Sequence, residues 1–173
     1  MTPAPDHDVP IPYMQRTREY YLKLGYGNPY RWAHHVDVPF TTLTRPLAHA
    51  RLALISTAAP YQPGKGDQGP GARYNAAAKF YKVYSSSTDV MPDVRISHVG
   101  YDRKHTKADD PSTWFPLKQL HRAVDAGRIG ALTPRFHGAP TNRSQRTTIE
   151  TDAPEILRRC REDAADVALL VPT

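Results

Sequence analysis

A chain of 173 residues, 39% of them hydrophobic, is long enough to bury one core, and one domain is the expected count. Seventeen prolines predict a loop-rich surface, and a single cysteine excludes an intramolecular disulfide. The formal charge of +6 suits an acidic partner, but the basic residues are scattered without zinc-finger spacing or an RNA-binding or helix-turn-helix signature, so nucleic acid is not expected.

Residues 1–12 carry four prolines and read as an extended arm leading into a single α/β domain over 13–173. The arm has neither a basic start followed by an apolar core nor a bilayer-length run, so a cytoplasmic, soluble protein is expected. Residues 13–24 place Tyr13, Met14, Thr17, Tyr20, Tyr21 and Leu24 at helical spacing, with Gly25 as a stop. Residues 25–46 show no sustained period and predict an irregular segment around Tyr30, Trp32 and Phe40; the adjacent His34 and His35 diverge on most backbones and make poor metal ligands together. RLALIST (51–57) is the first strong strand. The loop after it, 58–71, has four glycines and three prolines at the strand's carboxyl end, where binding loops sit. It is not a P-loop, since Ala59 and Gly66 stand where the motif needs Gly and Ser or Thr. Its free N–H groups suit a carboxylate, with Lys65, Asp67 and Gln68 as substrate-binding side chains; a plain structural loop is the alternative.

Residues 74–84, with three consecutive alanines, predict a helix or its start, broken by a linker at 85–89. VRISHV (94–99) alternates Val94 and Ile96 against Arg95 and Ser97 and predicts a second strand, followed by Gly100-Tyr101-Asp102. Residues 115–126 predict a helix, with Pro116 in its first turn, a Leu117, Leu120, Ala123, Val124 stripe and Gly127 as terminator. Residues 132–144 read as a polar loop; the sequon at Asn142 lacks a secretion signal and reads as chance. Asp152 caps a helix to about Ala165, with Glu155 completing a capping-box variant and Cys160 facing the core, where a thiol is unreactive. The helix delivers the chain into Val167–Val171, an apolar run that reads as a strand buried on both faces of a parallel sheet. The order β–α–β–α–β predicts a right-handed, parallel-sheet, three-layer Rossmann-like domain, incomplete after its last strand.

His98, Asp102, His105 and His137 are the ligand types of a metal site, but they lie across a turn and no metal is assigned to them. As acid/base or orienting groups near strand ends, His98, Tyr101, Asp102 and His137 are the catalytic candidates. The nucleophile elbow of a serine hydrolase is missing.

The segments DVRISHVGYDRKH, WFPLKQLHRAVDAGRIGALTPRFHG and APEILRRCREDAADVALLVPT, in that order, resemble the selenoprotein B family of glycine, sarcosine, betaine and D-proline reductases, in its shorter bacterial branch, over residues 11–173. In that family the strand resembling Val167–Val171 leads into a selenocysteine or cysteine, commonly U-x-x-C or C-x-x-C. Selenocysteine is encoded by UGA, so Thr173 is expected to be the residue before a selenocysteine read as a stop. The resemblance implies reductive cleavage of a C–N bond in an amino-acid or betaine-like substrate. It also implies a pyruvoyl group on a partner subunit and a thioredoxin-like or small selenoprotein electron carrier. The chain by itself, without a cofactor of its own, is expected to be inactive. The competing expectation is a non-catalytic subunit of a redox complex that docks an acidic partner through its basic surface.

Overall fold

The structure, a computed structural model, describes residues 10, 12–27, 33–66, 69, 71–98, 100–101, 108–141 and 144–173. The expectations placed on Tyr30, Trp32, Asp67, Gln68, Asp102, His105, Asn142 and most of the N-terminal arm fall outside these residues. The chain divides into two compact units, Met1–Val38 and Pro39–Thr173. Among the described residues no helix is long and apolar enough to cross a membrane.

The first unit contains the predicted helix, α1 (Tyr13–Lys23). It stops where Gly25 takes φ +85°, a left-handed turn that glycine adopts without a Cβ penalty. Tyr21 is buried and meets the rings of Tyr20 and Tyr26 edge-on, at centroid distances of 6.0 and 5.5 Å, whereas Tyr13, Met14, Tyr20 and Leu24 of the same stripe are exposed, so packing within this unit rests on Tyr21.

The second unit is mixed α/β and is built on β1 (Arg51–Ser56), buried at every position after Arg51. Alternate side chains of β1 serve two cores. Leu52 and Leu54 join Trp114, Phe115, Leu117, Leu120 and Phe136, whereas Ala53 and Ile55 join Cys160. Each fully buried leucine contributes about 2 kcal/mol of transfer free energy.

The chain then forms β2 (Ala59–Pro60), β3 (Tyr84–Ser87) and β4 (Val94–Arg95). After α2 (Leu117–Asp125) come β5 (Ala131–Leu132) and β6 (Arg135–Gly138). Short α3 (Gln145–Thr147) runs through a π-helical stretch, Thr148–Asp152, into α4 (Ala153–Glu162), and β7 (Val167–Val171) follows. The main sheet is mostly parallel. On one side, β7 pairs with β1 through five residues in register, from Leu52 with Val167 to Ser56 with Val171. On the other side β1 pairs with β5 at its start and β6 at its end, and β3 closes the sheet antiparallel to β6. Between β5 and β6 the register with β1 slips by two residues, at Thr133 and Pro134. Proline has no N–H for the ladder, and buried Thr133 bridges the gap by donating its N–H to the Leu52 carbonyl (2.9 Å) and its hydroxyl to the Arg135 carbonyl (2.7 Å).

Several expectations are overturned. Residues 74–83 form no helix. The Asn75 carboxamide accepts from Ala77 N (2.9 Å) and its carbonyl from Ala78 N (3.1 Å), a turn that uses the amides a helix needs. Ser85 lies not in a linker but in β3, and residues 132–144 hold β6 rather than a continuous loop. The strand at 94–99 shortens to Val94–Arg95 and pairs with β2 in a separate antiparallel sheet, so it is no rung of the parallel sheet. Asp152 does not cap α4; its backbone is helical, and Ser144 caps the composite helix instead, its hydroxyl accepting from Thr147 N at 3.1 Å. Finally, β7 is not buried on both faces. Among the described residues it pairs with β1 alone, and Ala168 and Leu170 are exposed, Leu170 by 69%.

An edge-to-face series of rings, Phe80 to Tyr84, Tyr84 to Phe136 and Phe136 to Phe115, with centroids 5.0 to 5.8 Å apart, ties β3 and β6 to the larger core. The Tyr84 ring lies against Gly138, where a Cβ would overlap it. Gly138→Ala is therefore expected to lower the unfolding free energy by about 1–3 kcal/mol or more. In a Tyr84→Leu background the cost should shrink; urea denaturation of the four proteins in the cycle measures both.

Candidate functional site

The parallel strands β1, β6 and β7 end together, with Gly138 and Val171 on either side of Ser56. At this carboxyl rim Thr57 holds the residues that follow β7. Its N–H donates to the Val171 carbonyl (3.4 Å), and its Oγ1 accepts from Thr173 N at 2.7 Å. The Tyr84 hydroxyl donates to the Ala58 carbonyl at 2.7 Å, and burial pushes that phenol well above its usual range, so it stays a neutral donor. Hydroxyls of Thr57 and Tyr84 thus fix chain segments leaving this rim, alongside backbone bonds.

The Gly-rich loop after β1 is organised by Arg95, which alternation placed opposite Val94 and Ile96. Arg95 is fully buried. Its guanidinium pairs with Asp93, donates to the Gly69 carbonyl at 2.9 Å and lies 5.0 Å above the Tyr61 ring. Asp93 in turn accepts from Gly71 N at 3.3 Å, and the bond from Arg95 holds its carboxyl below the usual range. Lys65 is exposed. Its backbone carbonyl accepts from Asn75 Nδ2 at 2.9 Å, which fixes the loop while its side chain stays in solvent. Alternation concealed Arg95, because a buried cation has the same pattern as an exposed one until its carboxylate is in place.

His98 and Tyr101 share a turn, with Tyr101 N donating to the His98 carbonyl at 3.2 Å. The His98 ring is half-buried. Its Nδ1 accepts from Gly100 N at 3.1 Å, which sets the neutral tautomer with the proton on Nε2. The same carbonyl accepts from the Tyr74 hydroxyl at 3.0 Å. β4 pairs Arg95 with Ala59 and Val94 with Pro60 in antiparallel register, so the chain from β4 toward His98 runs back along the segment that leaves the carboxyl rim.

His137 belongs to a different set. It is fully buried on β6, on the face covered by α4. Its Nδ1 lies 2.8 Å from Ser85 Oγ, which also accepts from Arg159 Nη1 at 2.8 Å. With Arg159 supplying that bond, the serine proton points to Nδ1 and the neutral ring carries its own proton on Nε2. Nε2 is 3.4 Å from Asp163 Oδ2 yet not aligned to donate to it, so the contact is electrostatic. Asp163 is held by Arg135, with Nε at 3.0 Å and Nη2 at 2.7 Å from Oδ1. Glu155, held down at about 2 by Arg158 and then Arg159, anchors Arg159 at 2.7 Å. The structure thus brings His98 and Tyr101 together at one turn and sets His137 in a separate buried network. Among the described residues no three His, Cys, Asp or Glu side chains form a metal site. Cys160 is buried with its pKa raised, chiefly by desolvation.

Desolvation outweighs the Asp163 charge and lowers the His137 pKa. The folded protein therefore binds this proton less readily than the unfolded chain, and stability is lost as pH falls through about 6.5 toward the lower folded value. Urea denaturation from about pH 8 to about pH 5 should show that decline, and His137→Gln should flatten it. An equal slope in both proteins would assign the decline to other groups.

Over 135 residues, 76% of the chain, the protein is 30% identical to the D-proline reductase subunit gamma of Acetoanaerobium sticklandii. The chain spans 52% of the length of that relative. No family profile matches the chain, and no solved structure matches it.

Proposed function

We propose that this chain is the greater part of a selenoprotein B-type reductase component, a three-layer Rossmann-like domain whose Sec or Cys nucleophile follows Thr173. Its reaction is the reductive cleavage of a C–N bond in an amino-acid or betaine-like substrate. The observation that carries this reading is the 30% identity to a D-proline reductase subunit over 135 residues. A second support is the clasp of Thr57 on Thr173 at the carboxyl rim, where open parallel sheets place their reactive groups.

The Sec or Cys would supply the nucleophile, its bond to carbon replacing the C–N bond; the second thiol of the U-x-x-C or C-x-x-C pair would then take the selenium or sulfur, releasing the reduced carbon, which takes up a proton, and leaving a selenenylsulfide or disulfide for the carrier to reduce. Thr57 fixes the backbone immediately before the nucleophile. His98 is the group we assign to orient the departing nitrogen by a hydrogen bond from Nε2–H, with solvent supplying the proton that nitrogen takes up and with Tyr101 and Asp102 beside His98 in sequence. The loop carrying Lys65, Asp67 and Gln68 takes the substrate carboxylate. His137, fully buried, acts as an orienting group rather than by touching substrate. A pyruvoyl-bearing subunit and a thioredoxin-like or small selenoprotein carrier are the proposed partners, in the cytoplasm.

Reading the gene past codon 173 tests the nucleophile directly. A UGA or cysteine codon with a nearby in-frame cysteine codon is expected; any other codon at 174, or no open frame, overturns the assignment. In the extended protein, assayed for dithiol-dependent reduction with D-proline as the first substrate tried, Thr57→Val should lower kcat about tenfold or more by loosening the nucleophile's backbone. Thr57→Ser, which keeps the hydroxyl, should restore most of it.

A further inference from the structure

At the amino ends of the same strands, opposite the rim discussed above, the second unit has a cavity of about 520 Å³. Its size falls in the range of small-molecule sites. Arg45, His49, Arg51 and Asp166 bring the charge and hydrogen-bonding groups; alanines and Gly130 supply most of the remaining wall.

The walls are fixed by backbone bonds. Gly130 N donates to the Leu47 carbonyl (3.0 Å), Ala131 N to that of Ala50 (3.2 Å) and Asp166 N to that of Arg51 (2.9 Å). The turn before β1 presses so closely on Gly130 that a Cβ there would lie 2.7 Å from the His49 carbonyl carbon. Ala164, also in the wall, is held at φ +53°, a left-handed conformation that costs a non-glycine residue free energy and persists where the surroundings enforce it. The cavity is therefore preformed.

Its charge is unbalanced. Arg45 and Arg51 bring two guanidinium groups, and Asp166 is the one carboxylate among the described lining residues. Asp166 already accepts from Arg51 N at 2.8 Å through Oδ2, while its Oδ1 lies 3.6 Å from Arg45 Nε. Arg51 Nη1 donates to the Asp163 carbonyl at 3.4 Å, which tethers its guanidinium beside the cavity. Two guanidinium groups against one carboxylate in the lining leave the cavity short of negative charge, and such groups match phosphate and carboxylate oxygens. Among the described lining residues there is no Phe, Tyr or Trp, so recognition rests on charge.

We propose that this cavity binds a small dianion, a phosphate group or a compact dicarboxylate, independently of the reductive reading of the opposite rim. The test is an NMR titration of the ¹⁵N-labelled protein with inorganic phosphate and, in a second arm, succinate, each against KCl at matched ionic strength. Saturable shifts of the Ala50, Gly130, Ala131 and Asp166 amides are expected from at least one anion, and the arm that saturates identifies the ligand class. Arg45→Gln, at a side chain 54% exposed, should preserve the fold and weaken binding about tenfold, the loss of one charge-assisted partner. Arg51→Gln should weaken it similarly. Shifts that KCl reproduces, that fail to saturate for both anions, or that persist undiminished in both variants would overturn the site. Because neither arm involves the nucleophile, the result stands apart from any assay of reduction.

Discussion

Strand β1 is hydrogen-bonded along both edges and covered on both faces, and the second unit takes its register from it. Five in-register pairs fix β7 on one side, and the interrupted β5 and β6 fix the other. Because side chains alternate along a strand, one hexapeptide feeds two separate cores, an aromatic one around Phe115 and Phe136 and a smaller one around Cys160. A slip of one residue would exchange Leu52 and Leu54 with Ala53 and Ile55, and the large and small cavities they fill would both be wrong. The two ends of β1 also lie at the carboxyl and amino rims of the sheet.

The buried polar groups attach the surrounding segments to that frame. Arg95 with Asp93 gathers the Gly-rich loop, while Asp163 with Arg135 fastens α4 to β6, beside the contact of Arg159 with Ser85. Removing charges from water costs several kcal/mol per ion, so such pairs add little net stability compared with apolar packing. Their effect is positional. Arg135 and Asp163 come from different segments, whereas Asp93 and Arg95 are neighbours that reach the Gly-rich loop through Gly71 N and the Gly69 carbonyl. His137 sits inside the second network with its ring neutral, and its burial depends on the helix that covers it.

The carboxyl and amino rims differ in their chemistry. At the carboxyl rim, hydroxyls of Thr57 and Tyr84 organise backbone, and half-buried His98 is carried on a turn whose chain runs back along the same segment. At the amino rim, Arg45 and Arg51 line a cavity together with the Asp166 carboxylate. Neutral hydroxyls and a titratable imidazole suit a place where charge develops during a reaction; permanent cations suit one where charge is bound. β7 links the two rims, and Leu170 on its outward face shows that this edge of the sheet carries apolar surface in contact with water.

What was legible in the sequence was local. The tyrosine helix and its Gly25 stop, the central helix ending at Gly127, the RLALIS strand and the inward Cys160 follow from periodicity and from the freedom of glycine, which act within a few residues. The reductase resemblance was legible too, in motif order, and agrees with the similarity to the gamma subunit. Only the tertiary structure decided where the non-local partners lie. VALLV reads as buried from its composition, but burial depends on what stands beside it, and here β1 covers one edge while Leu170 faces solvent. The polar run around His137 reads as a loop, yet pairing with β1 and β3 makes it a strand and brings Ser85, His137, Arg159 and Asp163 together across up to 78 positions of sequence. A polar group's environment is set by partners distant in the chain, and periodicity, being local, carries no information about them.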